Sequence, residues 1–195
     1  MQKAAITAVA ILCLALASAA QAQAIPRTVG FRFSEQVSNA PPGTCGCFGL
    51  QGAAGDLGWN LKQLGGNHGA GLGLAADVGV EHTGSVNGAS YGLTLTTLAA
   101  GPRFMLPGRK LPSFAQALFG FAHGSGSAFP QNNTLVSSAN SFALDLGAGA
   151  DYSLDKRFTV RLLQLDYLRT SLPNVTNNWQ NNLRIGAGLT LHFAR

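Results

Sequence analysis

Two side chains in the middle of the chain have the types and spacing of a nucleophile and its base. His123 and Ser125 are separated only by Gly124. A serine hydrolase needs a histidine that takes the proton of the serine hydroxyl, and a carboxylate that orients the histidine. Asp145 or Glu81 could in principle supply that carboxylate. The stretch HGSGS is equally typical of the start of a Gly/Ser-rich loop, and we favour this non-catalytic interpretation.

A second pair of reactive side chains is Cys45 and Cys47, in the sequence Cys-Gly-Cys. In an oxidising compartment the two thiols could form a disulfide, although the ring would be small and strained. They could also remain free or find other partners. A metal site requires more ligands than two thiolates, and no nearby histidine completes a set. We therefore favour the disulfide and expect no metal and no cofactor.

Charged and amide side chains recur in segments whose opposite face is apolar. Glycines share this polar face, where a soluble sheet would present Lys, Glu and Thr to water. Charges that leave water must be paired, so such a face indicates a crowded, ion-paired interior. We interpret it as a structural network rather than as a path for solutes. Its predicted members are Arg32, Asp77, Gln116, Asp145, Asp151, Gln164, Asp166 and Arg184.

The segments that carry these side chains alternate with a period of two, and helical spacing is almost absent. The last segment is typical, because apolar side chains occupy every second position from Leu183 to Phe193. In the fourth segment the predicted apolar face consists of Leu93, Leu95, Thr97 and Ala99. The eight predicted strands are Arg27–Phe33, Asp56–Leu61, Ala70–Val80, Tyr91–Gly101, Phe114–Ala122, Ser141–Tyr152, Arg161–Tyr167 and Leu183–Phe193.

The connections between these segments alternate between short and long. Three are short polar turns, KQLGGNHG, MLPGRKLPS and SLDKR. The long ones are Ser34–Gly55, Glu81–Ser90, His123–Asn140 and Leu168–Asn182. Short turns on one rim, long loops on the other and an even strand count are typical of transmembrane barrels. The sequence therefore predicts an all-β fold, an eight-stranded antiparallel transmembrane β-barrel with up-and-down meander topology.

One predicted strand does not alternate cleanly. In RLLQLDY, Gln164 and Asp166 share a face, but Arg161 is out of phase with them. Arg161 either extends from the lipid face to the rim, or a β-bulge at Leu162–Leu163 returns it to the interior. The sequence leaves both alternatives open.

The start of the chain has the composition of a secretory signal peptide. Lys3 precedes an apolar stretch, and ASAAQAQA offers cleavage after Ala22 or Ala24. We therefore divide the chain into a signal peptide, residues 1–22, and a barrel domain, residues 23–195. No later stretch approaches the ~20 apolar residues of a membrane-spanning helix. Only 11% of the residues are charged, against roughly 25% in soluble domains.

Two further inferences follow from the predicted architecture. Side chains just fill the interior of an eight-stranded barrel, so a general diffusion pore is not expected. No glycine-rich phosphate loop and no basic helix is present, so we expect no nucleic acid partner. A secreted soluble β-sandwich that binds a ligand would also alternate, and it remains the alternative fold class.

Three stretches resemble the small outer-membrane β-barrel family, which includes the transmembrane domain of OmpA, OmpX and opacity-type surface proteins. They are PGTCGCFGL, GPRFMLPGRKLPSFAQALFGFAHGSG and QLDYLRTSLPNVTNNWQNNLRIGAGLTLHF. The resemblance implies an outer-membrane protein with a structural or surface-interaction role. It also implies that the assembly machinery of the outer membrane reads the closing strand through Gly188, Leu191 and Phe193. The expected partners are outer-membrane lipids, this machinery and an unknown extracellular molecule at the long loops, and we expect a monomer.

The same resemblance gives the His-x-Ser pair a specific enzymatic alternative. Lipid A deacylases are eight-stranded barrels of this kind with a His-x-Ser and an acidic partner. A lipid A-modifying hydrolase that uses His123, Ser125 and Asp145 is therefore the alternative function. The residues that flank His-x-Ser in that family are not matched here, so we do not expect an enzyme.

The charges are predicted to separate between the two rims. With a periplasmic N-terminus, the short turns and both termini form a basic periplasmic rim opposed by Asp155 alone. The long loops carry Arg169, opposed by Glu35 and Glu81. We expect the basic rim to fix depth beside anionic head groups, and the near-neutral loops not to clamp phosphates. The predicted rim consists of Arg27, Lys62, Arg103, Arg109, Lys110, Lys156, Arg157 and Arg195.

Overall fold

Eight strands close into one antiparallel barrel. The computed structural model describes residues 27–39, 47–64, 69–86, 91–131, 134–174 and 178–193. Each strand pairs with the next, and β8 pairs with β1 from Thr28↔His192 to Ser38↔Asn182. This confirms the predicted meander and excludes the two-sheet sandwich. The strands are β1 Thr28–Asn39, β2 Cys47–Leu64, β3 Ala70–Thr83, β4 Leu93–Leu106, β5 Ser113–Gln131, β6 Thr134–Ser153, β7 Phe158–Thr170 and β8 Gln180–His192.

The wall is apolar outside and mostly polar inside. In β1, Phe31 and Phe33 point outwards, whereas Arg32 between them is buried in the interior. Phe33 and Phe121 are each 69% exposed on the outer wall. In water this surface would be costly, whereas lipid chains solvate it. No helix in the described part of the chain is long and apolar enough to cross a membrane.

The predicted faces of β4 are wrong, because the strand has the opposite phase. Leu93, Leu95, Thr97 and Ala99 point into the barrel, and Leu98 lies on the outer wall. The register of the neighbouring strands fixes this phase: Leu95 lies opposite Glu81 and Gly124, two inward positions, and Leu98 lies opposite Val78 and Phe121, two outward positions. The doublet Thr96-Thr97 made the phase ambiguous in the sequence.

The strands extend well into the predicted long loops. Ser34, Gln36 and Ser38 have the composition of a loop, but they are inward positions of β1. Within the predicted loop 123–140, the described residues belong to β5 and β6, which pair as far as Gln131 and Thr134. The predicted strands are too short at this end for two reasons. Small polar residues fill the narrow interior and resemble a loop in the sequence, and the strands continue beyond the apolar band of the outer wall. We call the two ends of the barrel the short-turn end and the long-loop end.

A β-bulge places Arg161 inside the barrel. The pairing of β7 with β8 shifts between Arg161 and Gln164, so that Leu162 and Leu163 both face outwards. Arg161 is 3% exposed. The second of the two alternatives for this residue is therefore confirmed. The extra residue keeps both the arginine and Gln164 in the interior while two leucines remain on the lipid face.

Candidate functional site

The part of the interior nearer the long-loop end is organised around Arg184 of β8. Its Nη2 donates to Oδ2 of Asp145 at 2.6 Å, its Nη1 to Oε1 of Glu81 at 3.2 Å, and its Nε to Oδ2 of Asp166 at 3.2 Å. Arg32 donates through both terminal nitrogens to Asp77, at 2.6 and 3.1 Å. We call this the Arg184 cluster, and its members are Arg32, Asp77, Glu81, Asp145, Asp166 and Arg184.

Glycine makes room for the Arg184 cluster. A Cβ atom at Gly79 would lie 2.9 Å from Nη1 of Arg184 and 2.9 Å from Oγ1 of Thr97. A Cβ at Gly147 would collide with Oδ1 of Asp166. At Gly79 and Gly147 a side chain would therefore take space that a guanidinium or a carboxylate from another strand occupies.

A second cluster lies nearer the short-turn end. Asp56 of β2 accepts hydrogen bonds from Nη1 of Arg161 at 2.7 Å and from Nη1 of Arg103 at 2.8 Å. Nε of Arg161 also donates to Oδ1 of Asp151 at 3.0 Å. Both Nε and Nη2 of Arg103 donate to Oε1 of Gln116, at 2.9 and 2.7 Å. We call this the Arg161 cluster, and its members are Asp56, Arg103, Gln116, Asp151, Arg161 and Gln164.

The two clusters form one connected network across the barrel. Nε2 of Gln164 donates to both carboxylate oxygens of Asp166, at 2.8 and 3.0 Å. Arg32 also approaches Asp56, with 3.9 Å between Nη1 and Oδ1. Since the members come from all eight strands, the network joins the whole wall rather than neighbouring strands alone.

Aromatic and apolar groups close the interior on both sides of the network. At the short-turn end the ring of Phe114 lies between Arg103 and Arg161, with both Cζ atoms 4.6 Å from its centroid. Beyond it lies a cavity of about 140 Å³ whose lining includes Thr159 and His192. At the long-loop end lies an apolar plug, which consists of Leu50, Val86, Leu93, Leu95, Ala122, Phe129, Ala143, Leu168 and Leu172.

The structure does not bring together the residues of the alternative catalytic triad. His123 is exposed on the outer wall, where its Nδ1 lies 2.7 Å from Oδ1 of Asn140. Asp145 and Glu81 lie on the opposite, inner side of the wall and are bound to Arg184. The alternative triad does not form because His123 and Asp145 have opposite phases in their strands. Within the described residues no cluster of His, Cys, Asp and Glu could hold a metal ion.

The predicted basic rim loses one member to the interior. Arg103 is 6% exposed and belongs to the Arg161 cluster, because it is an inward position of β4. Lys62, Arg109, Lys110, Lys156 and Arg157 are exposed at the short-turn end, and Arg27 is half-buried there. In the same rim, the backbone N–H groups of Arg157 and Phe158 donate to Asp155 and lower the pKa of its carboxyl. Arg195 lies outside the described residues.

Two further sequence predictions concern the cysteine pair and the residues of the closing strand. Cys47 is exposed at the start of β2, but Cys45 lies outside the described residues, so the disulfide remains a prediction. Gly188 and Leu191 lie in β8, and the backbone N–H of Phe193 donates to the carbonyl of Arg27 at 2.8 Å. The closing strand is therefore tied to the first residue of the described chain.

Sequence reasoning missed part of the network. Asp56 was read only as the first residue of a strand, although it accepts from two arginines. The sequence analysis places Glu81 at the start of the long loop Glu81–Ser90, whereas it is an inward residue of β3. In both cases the signal is present in the sequence, because each residue continues the polar face of its strand. The neighbours Leu57 and Val80 lie on the other, apolar face.

Comparisons with known proteins agree with this architecture. The family described as outer membrane protein beta-barrel domain matches residues 6–193. The crystal structure of Neisserial surface protein A (NspA) is similar, with a TM-score of 0.61, 14% identity, and coverage of 85% of this chain and 96% of that chain.

The N-terminal β-barrel domain of Pseudomonas aeruginosa OprF is another match, with a TM-score of 0.46, 18% identity, and coverage of 86% and 98%. A comparison with curated protein sequences gave no match. At 14% identity the match to NspA shows a shared fold, whereas the family match covers nearly the whole chain. The chain belongs to the outer membrane β-barrel family, and its location is the cell outer membrane.

Proposed function

We propose that this protein is a sealed outer-membrane barrel that acts through its long-loop surface rather than by passing solutes. The observation that supports this proposal is the closed interior. The apolar plug, the two charged clusters and the Arg103–Phe114–Arg161 stack follow one another along the axis. A solute would have to break buried ion pairs and displace leucines to pass, and each of these steps is costly.

The long-loop surface has one part that extends beyond the rest of the wall. The pairing of β4 with β5 ends at Thr94↔Ser125, and that of β6 with β7 ends at Ala143↔Thr170. Residues 126–131 and 134–142 therefore form two paired strand segments that rise above both neighbouring strands, and we call them the outer hairpin. Leu135 near its tip is 72% exposed. In the proposal the outer hairpin is the first element to meet a molecule outside the cell.

This role requires the long-loop end to face outwards and the short-turn end to face the periplasm. The exposed cations of the short turns, Arg109, Lys110, Lys156 and Arg157, would then lie beside anionic head groups of the inner leaflet. The assembly machinery would read the closing strand through Gly188, Leu191 and Phe193. The wall closes on itself through β1 and β8, which is consistent with a monomer.

Surface labelling of intact cells tests the proposed role. A peptide epitope inserted after Gln131 in the outer hairpin should bind antibody on unbroken cells. The same epitope inserted between Asp155 and Lys156 should bind only after the outer membrane is permeabilised. Both variants should keep the heat-modifiable migration of a folded barrel. Labelling of the Asp155 insertion, and not of the Gln131 insertion, on intact cells would overturn the proposal.

The lipid A hydrolase alternative is not favoured by the geometry of the described residues. His123 and Ser125 have no carboxylate on their side of the wall among their contacts. We predict that Ser125→Ala leaves the lipid A acyl pattern of cells that overproduce the protein unchanged from wild type. Mass spectrometry of lipid A measures this directly. Loss of one acyl chain with the wild-type protein, and its return with Ser125→Ala, would contradict the prediction.

A further inference from the structure

The arginines of the strands fall into two groups. Arg32, Arg103, Arg161 and Arg184 lie inside the barrel, at most 6% exposed, and each contacts at least one carboxylate. Arg169 of β7 lies on the outer wall, and no carboxylate lies within 4 Å of it among the described residues. The Glu81 carboxylate that was expected to oppose it is inside the barrel.

One aromatic side chain, Trp179, contacts this outer arginine. The Cζ atom of Arg169 lies 4.1 Å from the centroid of the Trp179 ring. Tyr167, two positions earlier on the same face, donates from its hydroxyl to Oδ1 of Asn181 at 2.7 Å. Stacking on a ring covers one face of a guanidinium and leaves its N–H edge free to donate. We call Tyr167, Arg169, Trp179 and Asn181 the Arg169 patch.

The height of the patch on the wall indicates what surrounds it. Along β7 the outward side chains are Leu163, Leu165, Tyr167 and Arg169 in order towards the long-loop end. Apolar residues, then an aromatic with a polar tip, then a cation is the order in which a membrane passes from hydrocarbon to head groups. Trp179 is 53% exposed beside the guanidinium, as expected of an aromatic residue at this boundary.

We propose that the Arg169 patch binds the phosphomonoester of a lipid head group in the membrane leaflet at the long-loop end. A stacked guanidinium is oriented before binding and offers the parallel N–H donors that a phosphate accepts. The sequence analysis expects the long loops not to clamp phosphates, whereas the Arg169 patch would contact a phosphate at the long-loop end. The assignment of this leaflet to the cell exterior rests on the proposed function, but the binding itself does not.

Fluorescence of the folded protein in micelles tests the binding independently of its orientation in a cell. The chain has two tryptophans, so Trp59→Phe leaves Trp179 as the single reporter. In this background the protein is titrated in dodecyl maltoside micelles with phosphatidic acid, with phosphatidylcholine or with laurate. We expect a saturable change in Trp179 emission with phosphatidic acid alone.

Variants of Arg169 complete the test. Arg169→Gln should abolish the response, and Arg169→Lys should weaken it by about tenfold, since a point charge replaces the stacked fork. Lys156→Gln, at the other rim, should respond as the background does. Heat-modifiable migration establishes that each variant is folded, and native mass spectrometry should count one phosphatidic acid fewer on Arg169→Gln. An equal response in Arg169→Gln, or an equal response to laurate or phosphatidylcholine, would overturn the proposal.

Discussion

The Arg184 cluster and the apolar plug lie next to each other inside the same barrel but contribute to it in different ways. In the cluster, Arg184 alone contacts carboxylates from three other strands, so a few side chains connect distant parts of the wall. In the plug, the side chains are apolar and pack against one another. The comparison indicates that ion pairs hold the wall in register, whereas apolar packing closes the long-loop end.

The largest effect is expected from breaking the Arg184 cluster. Arg184→Ala leaves several buried carboxylates with one guanidinium fewer, which should lower the free energy of unfolding by about 3–5 kcal/mol. Urea unfolding in lipid vesicles measures this. The matched control is Arg157→Ala, which removes an exposed arginine from a short turn and should change stability little. Equal losses in the two variants would mean that the cluster does not hold the wall together.

A smaller effect is expected from the plug, and it also tests the phase of β4. Leu95→Ala opens a cavity inside the barrel and should cost about 2–5 kcal/mol. Leu98→Ala, three residues away, removes contacts with lipid that the lipid itself can replace, and should cost clearly less. Urea unfolding of the two variants measures both losses and shows which of the two leucines points into the barrel. A larger loss for Leu98→Ala would return β4 to the phase predicted from its sequence.

The contrast between β4 and β6 explains how much of the fold could be predicted from the sequence. In β6, charged residues such as Asp145 and Asp151 mark the inner face, and the prediction was correct there. In β4, leucines lie on both faces, so the pattern cannot say which side meets lipid. The plug requires apolar inner residues, and only the register of β3 and β5 reveals that requirement.

The candidate site was predictable to a similar degree. The eight predicted members of the polar network all lie inside the barrel. A polar residue between two apolar ones points away from the lipid that its neighbours contact, and therefore into the interior. The partners of each arginine were not predictable, since Arg184 and Glu81 are 103 positions apart and meet only across the closed barrel. Arg103 is predicted in the basic rim because the predicted fourth strand ends at Gly101, two residues before it.

The smallest effect concerns the exposed β6–β7 turn rather than the interior. The Arg157 and Phe158 N–H groups hold the pKa of Asp155 below its ordinary value of 3.8, so the folded state favours the charged carboxylate. This contribution to stability is complete above the ordinary value and is lost as the pH falls through the lowered one. The melting temperature of Asp155→Ala should therefore lie below that of wild type at neutral pH. A difference that persists undiminished in strong acid would contradict this cause.

The measurement that tests the sealed interior most directly is the conductance of the folded protein in a planar lipid bilayer. The proposed sealed interior rests on the apolar plug, the charged network and the Phe114 stack, which follow one another inside the described part of the barrel. We predict that wild-type protein, shown to be inserted and folded by heat-modifiable migration, produces no unitary current steps. Regular steps of one size from such a preparation would show that the interior conducts, and would contradict the account.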